Sequence, residues 1–144
     1  MAAFIFLCDL STEQECLDRK LFGTNPGDRH ELHYRKVAVG DSLFLYNFET
    51  GTFRGTFTAT TACQMNIEPK AWKRTRRSFP WQVRVSDVGL LEIPLRADSV
   101  SKIIPLSRTP IGLLPAVEPN DAQLESLVMA LIEANSSLTS TTGG

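Results

Sequence analysis

The chain has 144 residues, 42% of them hydrophobic and 22% charged, which is enough apolar side chain for one domain with its own core. Its formal net charge is −1, which excludes a uniformly basic nucleic-acid binder and leaves local charge as the only electrostatic sign of such a partner. No segment approaches the roughly 20 apolar residues of a transmembrane helix, and the apolar run Ala2 to Cys8 follows no basic segment, so neither a span nor a leader is expected.

Ala2 to Cys8 is short and apolar and reads as a buried strand. Ser11-Thr12-Glu13-Gln14 has the capping-box form, with Ser11 as N-cap. The helix it opens carries acidic residues early and basic residues late, as the helix dipole prefers, and Gly23 is its expected end. Thr24 to Asp28 is a turn cluster. Residues 43–48 and 52–61, rich in aromatic and β-branched residues and separated by Glu49-Thr50-Gly51, read as an antiparallel hairpin. Alternate positions of its first strand are apolar on both faces, so that strand belongs at the centre, covered on both sides. On the second strand Phe53 and Phe57 are expected on one face, and Gly55 marks a bulge or a close backbone approach.

Pro69 opens a short predicted helix, and Lys73 to Arg77 is a basic run without apolar partners, hence a solvated loop. Phe79 to Val85 and Leu90 to Leu95 read as strands, Ser99 to Ile104 as a helical turn, and the proline-bearing stretch from Arg108 to Pro119 as extended connecting chain. Leu124, Leu127, Val128, Leu131 and Ile132 recur at spacings of three and four, an amphipathic helix. The expected organisation is a single α+β domain over residues 1–135 and a loose Ser/Thr/Gly tail over 136–144. Short strands need hidden edges, so the sheet is expected as a small, curved, mixed and partly open β-barrel of about five to six strands, flanked by helices.

Catalytic chemistry finds little support. His30 and His33 lie in a polar stretch without a nucleophile motif, and read as surface histidines. Cys8, Cys16 and Cys63 are scattered, without paired ligand spacing, so free structural thiols in a reducing cytoplasm are expected, with no metal and no cofactor. There is no phosphate-binding glycine pattern. The informative segment is basic: Lys70, Lys73, Arg74, Arg76 and Arg77 place five cations within eight residues, interleaved and flanked by Trp72, Phe79 and Trp81. Aromatic faces stack on bases while cations hold phosphates. A solvated loop with its aromatics anchored in the core is the plainer alternative. Trp72, beside the cations, is expected to be partly exposed, whereas Trp81, alternating with Val83 and Val85, is expected in the core.

Five collinear segments carry a family resemblance. They are Phe4 to Cys8, Gln14 to Gly23, Leu43 to Asn47, Met65 to Pro69 with Trp72, and Phe79-Pro80 with Gln82 to Val85. Together they resemble the DCD (development and cell death) domain of plant proteins over about residues 3 to 86. Two departures stand out: Thr24-Asn25-Pro26 follows Phe22-Gly23 where the family has Leu-Pro, and Trp81 replaces a small residue. The order of elements is similar to the wider PUA-like group, with its EVE and YTH domains, which handle modified bases. That analogy implies a base pocket made of Cys8, Asp9, Phe22, Tyr46, Asn66, Trp72 and Trp81, with Lys70, Lys73, Arg74, Arg76 and Arg77 on phosphates. The expected function is a non-enzymatic module that binds single-stranded RNA or DNA, through one flipped and modified base. The rival, implied by the family name, is a protein-interaction module in stress or cell-death signalling.

Overall fold

Strand β3 (Ser42–Asn47) runs between two hydrophobic cores. The computed structural model, which describes residues 3–24, 34–72, 79–87, 93–110, 112–115 and 119–143, places its alternate side chains on opposite faces. Leu43 and Leu45 enter one core with Phe4, Phe6 and Cys8 of β1 (Ala3–Cys8), while Phe44 and Tyr46 enter the other with Ile5. β1 pairs β3 in parallel, Ala3 with Ser42 through Cys8 with Asn47. β4 (Thr52–Ala59) pairs β3 on its other side, antiparallel, as the expected hairpin.

Strand β4 changes cores midway. Between the pairs Leu43↔Phe57 and Leu45↔Arg54, β3 advances two residues and β4 three, so one extra residue lies on β4. A one-residue insertion reverses the facing of everything beyond it. Phe53 therefore packs in the second core and Phe57 in the first, not on one shared face as alternation alone implies. Gly55 marks the place, and a Cβ there would collide with Cδ1 of Phe44.

The strand path is β1-β3-β4-β6-β2, where β2 is Leu21–Thr24 and β6 is Trp81–Asp87. β5 (Gln64–Met65) pairs β6, and β7 (Leu95–Arg96) pairs β4, making seven strands. The two ends of the path face each other across the first core, with the rings of Phe6 and Phe22 5.8 Å apart. The expectation was a curved, mixed and partly open barrel; the sheet is mixed, and among the described residues no ladder joins β1 to β2 to close it. Helix α1 (Glu13–Arg19) lies between these two strands in sequence and buries Cys16 in the same core.

The second core is covered by α2 (Ala97–Val100) and α3 (Asp121–Gly143). Leu127 and Leu131 are fully buried, with Leu124 and Val128 packed beside them, whereas Ile132, also part of the stripe, is 44% exposed. Asn135 fastens the helix: its Oδ1 accepts from the N–H of Ile93 at 2.9 Å, and its Nδ2 donates to the carbonyl of Ile93 at 3.2 Å. The backbone of α3 continues through residues 136–143, the segment read as a tail.

Several local expectations give way. The stretch read as connecting chain contains a hairpin of β8 (Leu106–Thr109) and β9 (Gly112–Pro115). Its prolines lie at Pro110 in the turn and Pro115 at the strand end, where a missing N–H costs no ladder bond. Residues 69–72 form turns rather than a helix; of the expected strand over Leu90 to Leu95, residues 90–92 lie outside the described residues, and of Ile93 to Leu95 only Leu95 is in a strand, β7. Among the described residues no helix is long and apolar enough to cross a membrane.

Candidate functional site

Asp9 starts α1. Its Oδ1 accepts from the N–H and the hydroxyl of Ser11, at 2.9 and 2.6 Å, and from the Thr12 hydroxyl at 3.1 Å. That arrangement replaces the expected capping box, and Gln14 turns along the helix to donate to Asp18. The helix ends at Lys20 in the left-handed region, φ 52, three residues before Gly23. Gly23 serves packing: a Cβ on it would lie 2.7 Å from Cβ of Phe79 and 2.9 Å from the Trp72 ring.

The close approach at Gly23 explains where Trp72 goes. Its ring is fully buried and meets Phe79 edge-on at 5.0 Å, and its backbone, at φ 62, donates its N–H to Oε2 of Glu15 at 2.5 Å. The partial exposure expected of Trp72 is therefore corrected. Cys8 and Phe22 lie in the same core, 4% and 0% exposed. The Cys8 thiol faces Oε2 of Glu13 at 3.8 Å. Burial pushes both the Cys8 and Cys16 thiols upward, Cys16 to about 12 against a lowering hydrogen bond from Trp72, so both are protonated at neutral pH. Tyr46 lies on the opposite face of β3, in the other core, and burial raises its phenol as well. Asp9 is 7% exposed, with its carboxylate engaged on α1. Cys8, Asp9, Phe22, Tyr46 and Trp72 are thus parts of the interior and do not open together onto one surface.

Trp81 and Asn66 behave differently. Trp81 is half-buried, between Thr24 of β2 and Met65 of β5 in the ladder. The guanidinium carbon of Arg35 lies 4.2 Å from the centre of its ring, close enough for cation–π attraction. Core packing was the expectation for Trp81, and nothing in the polar stretch from His30 to Lys36 marked Arg35. Met65 is 56% exposed beside this pair. Asn66 is exposed, at φ 53, with its N–H bonded to the carbonyl of Pro80 at 2.7 Å.

The loop that bears Asn66 is held from below. Gln82, 3% exposed, accepts from the N–H of Glu68 at 2.7 Å and donates to its carbonyl at 3.3 Å. The Arg84 guanidinium meets the Glu68 carboxylate at 3.1 Å. Gln82 was absent from the sequence-derived site, although a glutamine between apolar strand positions was its signal. Lys70 is exposed on the same connection. Lys73, Arg74, Arg76 and Arg77 lie outside the described residues, as do His30 and His33, but the segment that carries the four cations departs from Trp72 and returns at Phe79, whose rings touch. Among the described residues no three His, Cys, Asp or Glu side chains are grouped as metal ligands.

A family model described as the development and cell death domain matches residues 2–109. The B2 protein of Daucus carota is 38% identical over 108 residues, which cover 72% of this chain and 51% of that protein. The DCD domain-containing protein NRP-B of Glycine max is 37% identical over 108 residues, 72% of this chain and 32% of its own length. The DCD domain-containing protein NRP of Arabidopsis thaliana is 33% identical over the same number, 72% of this chain and 30% of its length. The match thus spans about half of these curated relatives, or less.

Proposed function

The chain belongs to the development and cell death domain family, and we propose that it is a non-enzymatic module that binds single-stranded nucleic acid at the rim around Trp81. The observation that carries this reading is a half-buried tryptophan with an arginine on its ring, beside the ends of a segment rich in cations. An aromatic face at the surface, once its arginine lifts, offers stacking to any base, and Lys70, Lys73, Arg74, Arg76 and Arg77 offer charge to the phosphates. Asn66, held on its loop by Gln82, is the edge-reading group, and a methyl-bearing base is one candidate ligand. Trp72 supports the rim from inside. The protonated, enclosed thiols of Cys8 and Cys16 are poor nucleophiles, which favours binding over catalysis.

The test is a titration of labelled single-stranded oligonucleotides, with and without methylated adenine, at two salt concentrations. Replacing Arg74, Arg76 and Arg77 with Ala should weaken binding to every sequence and flatten the salt dependence by about 0.7 for each phosphate that is no longer neutralised. Asn66→Ala should narrow the gap between preferred and other bases while leaving the salt slope in place. A protein-interaction module in cell-death signalling is the second reading. The family description favours it, and so do Leu10, Val39 and Met65, large apolar side chains 65%, 67% and 56% exposed. Absence of binding to every oligonucleotide at low salt would put that reading first.

A further inference from the structure

Arg35 covers the face of Trp81 that a base would need. Its guanidinium carbon stands 4.2 Å from the ring centroid, a van der Waals separation that leaves no space for a third plane. A base inserted between the two would need roughly 7 Å, twice a stacking separation of about 3.5 Å. Arg35 is exposed on its turn, so its long side chain can lift by the difference of about 3 Å without moving the backbone. A guanidinium is planar and stacks on aromatic faces, and while stacked it still directs its N–H donors outward in its own plane. Trp81 is held from both sides by the ladder, Thr24 on one flank and Met65 on the other, so the ring is the fixed plane and Arg35 the movable one.

We propose that Arg35 is the second plane of a base sandwich: it caps Trp81 in the free protein, lifts when a flipped nucleobase enters, and settles on the base's far face. The inference rests on the nucleic-acid reading above and names the residue that gives that site its base-dependent affinity. The N–H edge of the lifted guanidinium then faces the flanking backbone, where it takes a phosphate oxygen. Lysine in the same place keeps the charge and loses the plane, so the two contributions separate.

The experiment measures the affinity of the full chain for a labelled single-stranded oligonucleotide and for its abasic counterpart, which has the same phosphates and no bases. Wild type should prefer the base-bearing strand. Arg35→Lys should narrow that preference about five-fold with the salt slope unchanged. Arg35→Ala should narrow it equally and also lower the slope by about 0.7. If Arg35→Lys keeps the wild-type preference while Trp81→Phe reduces it, bases stack on Trp81 without Arg35, and the sandwich falls while the nucleic-acid reading stands. Equal binding of both strands by wild type overturns the sandwich and leaves only phosphate attraction. No binding of either strand removes the nucleic-acid reading itself, and the sandwich with it.

Discussion

The thiols of Cys8 and Cys16, each 4% exposed, give the first core a dependence on alkaline pH. Burial raises Cys16 from an ordinary 9.0 to about 12 and moves Cys8 in the same direction. A group whose pKa is higher in the fold than in the unfolded chain ionises first in the unfolded chain. Its stabilising contribution is intact below 9.0 and declines as pH climbs toward about 12. The unfolding free energy from urea titrations should therefore fall between about pH 8 and about pH 10.5, by up to about 1.4 kcal/mol per pH unit for each thiol. The double replacement Cys8→Ala/Cys16→Ala should start lower, because two small cavities open, yet lose less between the two pH values. An unchanged loss would mean the thiols do not carry the effect. At this scale the sequence was partly legible. The scattered cysteines were read as thiols outside any disulfide, and no disulfide joins Cys8, Cys16 and Cys63 in the structure. The exposures of Trp72 and Trp81 did not follow, because they depend on Gly23 and Arg35, which are distant from both tryptophans in the chain.

At the scale of elements, the bulge in β4 decides which core each phenylalanine joins. Gly55 is where the strand passes over the Phe44 ring, and a methyl there would collide with Cδ1 and Cε1 of a side chain that is fully buried. Phe44 in turn stacks on Phe53 at 4.8 Å, so it has little room to retreat. Gly55→Ala should lower stability by about 1–3 kcal/mol, read as a lower urea midpoint with an unchanged slope. A variant as stable as wild type would mean the ring yields freely. The bulge was legible as a glycine inside a strand; its consequence was not, because alternation counts positions and cannot show an inserted one. The two-sided β3 was legible from its composition, since Leu43, Leu45, Phe44 and Tyr46 leave neither face polar. The β8–β9 hairpin was hidden because three prolines outweighed strand signals in a stretch where they fall only at permissive places.

Among the described residues a curved seven-stranded sheet, with the β8–β9 hairpin separate from it, carries a core on each face, and the rim around Trp81 is where the first core meets the surface. α1 and the Glu15 carboxylate brace Trp72 from within, Gln82 holds the 66–68 loop, and Trp81 with Arg35 faces outward. The family was legible in the sequence, because its motifs are runs of buried strand and helix residues whose order survives divergence. The proposed site was legible only in outline. The sequence placed tryptophans beside cations, but which ring is outward depends on packing across residues far apart in the chain. The two tryptophans allow that assignment to be tested directly. Intrinsic emission followed during titration with a single-stranded oligonucleotide reports both rings in wild type and Trp72 alone in Trp81→Phe. The account predicts strong quenching in wild type and emission in Trp81→Phe that stays constant up to saturating oligonucleotide. Quenching of equal depth in Trp81→Phe would place the base on Trp72 and contradict the account.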